Sequence, residues 1–363
     1  MWPNGGLMVR IKSSHHFGLG NPAGRIQIPA ADATLAKPGG LDTVFQRHMS
    51  VMCNKRSATS LGLVCVTTTS EVLHFRLEPG QDCVGRHLHY AQKVSPFTLS
   101  DDLALARAAV ATADLISLNR FRAQDLVVNT KPDQTPVTDA DTAVEDIIRA
   151  SLHSARSGDA ILGEERGTTA DSPGPQPGRQ WIIDPIDGTV NFLRGVPIWA
   201  TLIALAIDGD PVVSVVSAPA LGQQWWAATG LGAWTTRAGD ATPRKLEVSK
   251  VTRLEDAIVN YNSLPGWVDD AREAQVRALA MSAWRARAIG DFWPYMLVAE
   301  GAIDVSGEAD LQPYDMAALV PILREAGGRF SSLDGDDDVW HGTALASNTL
   351  LHDTALALTR KRG

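Results

Sequence analysis

The tract Trp181-Ile-Ile-Asp-Pro-Ile-Asp-Gly-Thr-Val-Asn-Phe192 decides how this chain is read. An apolar strand runs into two carboxylates three residues apart, Asp184 and Asp187, beside a Gly-Thr turn. At close range the two would repel each other and one pKa would climb unless a cation lay between them. The spacing therefore argues for a hard metal held by oxygen ligands. Gly188 and Thr189 follow at once. A glycine that lets the backbone approach a ligand, at the start of a helix, presents N–H groups that suit a phosphate oxygen, so both are candidate phosphate-binding residues. Metal and phosphate in one turn point to phosphoester chemistry.

Two further segments set acids in apolar surroundings: Gly163-Glu-Glu-Arg-Gly167, and Tyr314-Asp315 opening Met-Ala-Ala-Leu-Val320. Alone, the first reads as a solvated turn and the second as a helix cap. Taken with Asp184 and Asp187 they read as an interior carboxylate cluster, which is costly unless cations neutralise it. Mg²⁺ binds through a few carboxylates, waters and substrate phosphate oxygens.

The 363 residues, 44% of them hydrophobic, allow two ordinary domains with buried cores. A net charge of -8 argues against wrapping a polyanion, so no nucleic-acid partner is expected. Residues 1–97 carry ten Lys and Arg against five Asp and Glu, a balance of +5, which leaves -13 on residues 98–363. An acidic body suits a cation site. Cys53, Cys65 and Cys83 all fall in the basic leader and lack the CxxC spacing of a zinc site. With no disulfide framework and no apolar run of about 18 residues, a cytoplasmic protein without membrane contact is expected. The leader is punctuated by Gly and Pro with little periodicity. It is expected to be disordered, or dispensable sequence ahead of a mis-assigned start.

From Ser100 the chain turns regular. Leu103, Ala106, Val110 and Ala113 behind Ser100-Asp-Asp predict a capped amphipathic helix, and Val144, Ile148 and Leu152 a second over about 141–152. Thr201–Ile207, then Asp208-Gly-Asp-Pro, then Val212–Ser217 predict a hairpin, and Trp225–Ala228 a third strand of an antiparallel meander. Gly230-Leu-Gly-Ala reads as a turn within it. Further on, helices are expected over 269–284, over 291–300, and from Asp315 to the glycine stop Gly327-Gly328. Strands with helices packed against them fit an α+β body, with a metal-binding half (98–235) and a substrate half (236–363).

The Gly-Glu-Glu, Asp-Pro-Ile-Asp-Gly-Thr-x-Asn-Phe and Asp-x-Ala-Ala…Glu-Ala-Gly-Gly signatures stand here in order, from Glu164 to Gly328. In them the chain resembles the inositol monophosphatase superfamily of Mg²⁺-dependent sugar and polyol phosphatases, over about Ser100 to the C-terminus. The resemblance implies an αβαβα layered sandwich and two to three Mg²⁺ ions. The first would be held by Glu164, Asp184 and the Ile186 carbonyl, and the second by Asp184, Asp187 and Asp315. A third would lean on Glu164, with Thr189 and Asp141 orienting and deprotonating the attacking water. Tyr314 stands where the family usually has Trp, which leaves an aromatic beside the metal acid. Lys131 matches a lysine near the family's metal site, or is a solvated loop charge.

The metal turn serves any phosphomonoester, so substrate choice must come from the second half. Glu308 lies where the family places an acid that contacts the leaving group. Arg287-Ala-Ile-Gly-Asp-Phe-Trp-Pro-Tyr295 puts Asp291 and Trp293 where inositol phosphatases have small residues. With Gly195–Thr201 and Trp225-Trp226, this is similar to the bacterial histidinol-phosphatase branch. The expected reaction is Mg²⁺-dependent hydrolysis of L-histidinol phosphate, a small-molecule phosphate ester, by a homodimer. Acids and a tryptophan face would hold an amine and an imidazole, although Asp291 also reads as a helix cap and Trp293 as core. An inositol-1-phosphate or broad sugar phosphatase is the neighbouring alternative, and an RNA- or polymerase-associated accessory protein the alternative of a different class.

Overall fold

The computed structural model describes residues 97–131 and 135–361 in full and, within residues 8–89, the backbone of eight short strands paired antiparallel in two four-stranded sheets. The chain divides into two units, Met1–Pro96 and Phe97–Gly363. Apart from that backbone, the expectation of a disordered or dispensable leader lies outside the described residues. Among the described residues no helix is long and apolar enough to cross a membrane.

Helix α1 (Leu99–Arg120) is capped by Thr98, which exchanges bonds with Asp101 in a capping box. The cap thus stands two residues ahead of the expected Ser100. Helix α2 (Asp139–Ala155) opens the same way on Thr138 and Asp141 and buries Val144, Ile148 and Leu152, the expected stripe. Both helices cover one face of an eight-stranded sheet. In it β1 (Ala160–Gly163) lies parallel to β2 (Arg179–Asp187), which feeds the short helix α3 (Thr189–Leu193). An antiparallel meander follows as expected, through β3 (Ala200–Ile207), β4 (Asp210–Ala218), β5 (Gln223–Ala228) and β6 (Gly232–Arg237).

Side chains along β2 and β3 alternate with period two, as a sheet covered on both faces requires. Trp181, Ile183, Ile203 and Leu205 pack under α1 and α2. Ile182, Leu202, Ala204 and Ala206 point the other way, toward an inner helical layer. The alanines leave room for that layer to approach closely.

Strand β7 (Ile258–Asn262) starts the second sheet. A short helix α4 (Leu264–Asp269) comes first, and the helix expected over 269–284 follows as α5 (Glu273–Ser282), separated from it by Ala271 at a left-handed φ of 56°. The edge strand β8 (Arg285–Arg287) leads to α6 (Trp293–Ala299) and then to β9 (Val305–Ala309). The helix expected from Asp315 begins instead at Pro313 and comes as α7 (Pro313–Met316) and α8 (Leu319–Glu325), stopped by Gly327 at φ 87°. Strands β10 (Arg329–Ser331) and β11 (Thr343–Ser347) and helix α9 (His352–Thr359) complete the unit.

The second sheet runs β8-β7-β9-β11-β10. Its one face shares a core with α6, α8 and the first sheet, through Phe330, Ala344 and Ala346. Its other face packs Val259, Val305 and Leu345 against α5 and α9. Apolar packing on both faces of each sheet joins five layers into the αβαβα sandwich.

The outer layer is pinned by a buried ion network. Asp102, fully buried on α1, accepts from Arg156 at 2.9 Å and from two nitrogens of Arg179, each at 2.9 Å. Arg179 also reaches Asp159, which takes the Trp181 indole N–H. Removing one member of such a cluster strands the others. Asp102→Ala is expected to cost about 3–5 kcal/mol in denaturant unfolding; a loss below about 1 kcal/mol would show the arginines to be solvated without it.

Candidate active site

The acids predicted as ligands come from three separate elements. Glu164 follows β1, Asp184 and Asp187 end β2, and Asp315 lies in the first turn of α7. Between Asp184 and Asp187 the pairing of β2 with β3 shifts register, and this irregularity turns both carboxylates to the same end of the sheet. Thr201 holds the intervening bend by donating to the Pro185 carbonyl at 2.8 Å. Oxygens of Asp184, Asp187 and Asp315 all lie within 4.8 Å of one another. Glu164 stands outside this triad, yet close enough for its charge to act on Asp184.

The loop that carries Glu164 is wrapped around a buried acid. Glu145 of α2 accepts the N–H groups of Glu165 at 2.7 Å and Arg166 at 3.1 Å, and pairs with Arg149 at 2.6 Å. A Cβ on Gly163 would fall 2.1 Å from a Glu145 oxygen, so any other residue there would have to displace that hydrogen-bonded carboxylate. Lys131 reaches Glu164 at 2.6 Å and Glu165 at 2.7 Å. Burial opposes its charge, but the bonds to both glutamates outweigh burial and raise its pKa. The lysine is a partner of the cluster and not a solvated loop charge.

Four carboxylates so close should not all be ionised without counter-charge. Burial first, then the charge of Glu164, holds Asp184 well above the usual carboxylate range, and burial with Asp291 does the same to Asp187. Burial pushes Asp315 up to about 7 despite the Gln312 N–H it accepts. Oδ1 of Asp184 is buried and accepts no hydrogen bond. An acceptor left bare among like charges is what an oxygen-seeking divalent cation would satisfy, so the donor set fits Mg²⁺.

Gly188 takes a left-handed φ of 89°, and a Cβ there would meet the Ile198 carbonyl at 3.0 Å and Asp291 at 3.2 Å. Thr189 Oγ1 lies 3.1 Å from the Ile186 carbonyl and 3.3 Å from Asp141 Oδ1. Asp141 also takes the Thr138 N–H at 2.8 Å and hydroxyl at 2.5 Å; burial nevertheless pushes it up to about 6.

A cavity of about 160 Å³ opens beside the triad, lined by Asp187, Asp291, Tyr295, Glu308, Leu311 and Asp315. Asp291 does not cap α6. It has a left-handed φ of 61° and accepts from Asn191 of α3 at 2.6 Å, while the first position of α6 has no side-chain cap. The next N–H, of Phe292, bonds Asp187 at 2.6 Å and ties the substrate half to the metal turn. Glu308 is pushed up to about 8 by burial and accepts from Asn262 and Tyr295. Trp293 is not among the lining residues; it packs against the central core, as does Tyr314.

Sequence reasoning passed over Glu145, Asn191, Asn262 and Tyr295. For Asn262 a signal exists, since Asn260 and Asn262 are polar residues at alternate positions of an otherwise apolar strand. Asn260 clamps the Ile289 backbone through its N–H and carbonyl and so positions the loop to Asp291.

The inositol monophosphatase family model matches residues 98–362. A histidinol-phosphatase of Mycobacterium tuberculosis is 51% identical over 256 residues, 70% of this chain and 96% of that protein. A histidinol-phosphatase of Streptomyces coelicolor is 49% identical over 266 residues, 72% of this chain and 98% of that one. The crystal structure of the extragenic suppressor protein suhB from Bartonella henselae superposes with a TM-score of 0.63 at 28% identity, covering 72% of this chain and 98% of that one. The chain belongs to the inositol monophosphatase family. It is a phosphoric monoester hydrolase of the α+β layered kind, and resembles the histidinol-phosphatase branch.

Raised carboxylate pKa values carry a sign. The folded state binds extra protons between about pH 4 and 7, so the stability contributed by Asp315 is present at acid pH and lost as pH rises through about 7. In chelator, thermal unfolding of the wild type is expected to fall faster over that window than that of Asp315→Asn, and Mg²⁺ to remove the difference. Parallel curves in chelator would reject the cluster's electrostatics.

Proposed function

We propose that this protein hydrolyses L-histidinol phosphate to L-histidinol and phosphate, the phosphatase step of histidine biosynthesis. One observation carries the reading within the family. The wall of the cavity beside the metal triad holds two further acids, Asp291 and Glu308, and none of the lining residues is basic. Asp187 and Asp315 have cations to face. Burial raises Asp291 to about 6 and Glu308 to about 8, so Glu308 ionises near neutral pH only beside a cation, and a leaving group bearing an ammonium supplies one where a neutral polyol does not. Two relatives near 50% identity carry the name histidinol-phosphatase.

Glu164, Asp184, Asp187, Asp315 and the Ile186 carbonyl would hold two to three Mg²⁺ ions, which when bound lower the pKa of the attacking water and offset phosphoryl charge. The remaining work falls to the chain. Thr189 Oγ1 accepts a proton from the water as it passes its own to Asp141, whose raised pKa suits a general base near neutral pH. The Gly188 and Thr189 N–H groups face the phosphate, and the left-handed backbone at Gly188 frees them to do so. Asp291 and Glu308 hold the leaving alcohol in line.

Two measurements test this. Asp187→Asn should lower kcat by about 10²–10³-fold, the loss typical of removing a group that stabilises transition-state charge, with the fold kept. Turnover near the wild-type rate would remove Asp187 from the ligand set. The wild type should release phosphate from histidinol phosphate faster than from inositol 1-phosphate and should complement a histidine auxotroph. Faster release from inositol 1-phosphate would instead give the protein to the polyol phosphatases.

A further inference from the structure

A buried glutamate is a usable contact only where its carboxylate is held ready for its partner. Glu308 lies on β9, inside the second sheet, and is 6% exposed. In the parallel pairing of β7 with β9 its register partner is Asn262, so the two side chains leave the sheet on one face. Asn262 Nδ2 donates to Glu308 Oε1 at 2.6 Å. From α6, across the cavity, the hydroxyl of Tyr295 donates to Oε2 at 2.9 Å. Tyr295 is itself 1% exposed. Among the described residues no Lys, Arg or His forms an ion pair with Glu308.

Each carboxylate oxygen thus has one neutral donor, from a different element. Two such bonds fix the plane of the carboxylate, and each oxygen keeps a lone pair for a further donor. Both bonds favour the ionised carboxylate against the burial that raises its pKa, and neither supplies a counter-charge. We propose that Tyr295 and Asn262 are positioning residues for substrate selection: they hold the Glu308 carboxylate in one orientation at the cavity, so that it meets a charged donor on the leaving group without first reorganising. This rests on the histidinol-phosphate reading for the identity of that donor. Loss of either bond would leave one oxygen without its fixed donor and let the carboxylate rotate, so binding of the ester would weaken more than its chemistry would slow.

The test is a double-mutant cycle of Tyr295→Phe and Glu308→Gln in the Mg²⁺-loaded enzyme, read as KM and kcat for histidinol phosphate. Tyr295→Phe alone should raise KM about tenfold, the effect of one hydrogen bond to a charged group, and lower kcat less. In the Glu308→Gln background the same change should add little. An unchanged KM in Tyr295→Phe overturns the inference, and so does an equal rise in both backgrounds, since Tyr295 would then act on its own. Asn262→Ala, which removes the donor on the other oxygen, should reproduce the pattern and decides the matter if Tyr295→Phe fails to fold. Failure of the substrate reading appears elsewhere, as wild-type preference for inositol 1-phosphate. The cycle is then run on that ester and still tells whether Tyr295 works through Glu308.

Discussion

Like charges forced together out of water organise this molecule. Asp184, Asp187 and Asp315 bring oxygens within 4.8 Å of one another, and Glu164 adds a fourth acid from the neighbouring loop. Nothing intrinsic to a protein interior favours that arrangement; desolvation and repulsion both oppose it. It persists because each acid is carried by an element whose place is fixed by apolar packing elsewhere. Strand β2 is held by Trp181, Ile182 and Ile183 on its two faces, and α7 runs on into α8, whose Leu319, Val320, Ile322 and Leu323 fill the central core. The hydrophobic layers supply the force, and the site is where that force is spent.

The layered fold also explains why the site lies where two sheets approach. The first sheet delivers the metal acids at the end of β2, and the second delivers Glu308 from β9. The inner helical layer between them brings Tyr295, and the loop before it brings Asp291. On the proposed reading, cation binding and leaving-group recognition would therefore rest on different sheets. That division lets one metal turn serve a family with many substrates.

Much of this was legible in the residues themselves. The acids of the central turn stand out because charge interrupts an apolar strand, and the meander because the apolar runs Thr201–Ile207, Val212–Ser217 and Trp225–Ala228 are separated by turn residues such as Asp208-Gly-Asp-Pro. What stayed hidden depends on contacts between distant segments. Glu145 looks like one more helix charge until β1 folds against α2 and brings Gly163 to its carboxylate. Tyr295 reads as core because its ring is core; only the hydroxyl matters to Glu308. The break between α4 and α5 rests on a left-handed alanine, Ala271, a conformation that the residue type does not announce. Asp291 shows the reverse case: its position before a helix suggests a cap, and its bond to Asn191 shows a tie across the cleft.

That tie has a consequence for anyone redesigning the enzyme. Because the Phe292 N–H holds Asp187, Asn191 holds Asp291, and a left-handed Gly188 sits tight between Ile198 and Asp291, the loop before α6 and the acid-bearing turn behave as a single welded piece. A loop transplanted from a relative with other tastes would arrive without its matching turn and would disturb ion coordination. New selectivity in this scaffold must be grafted as a pair of segments, 184–192 together with 287–295.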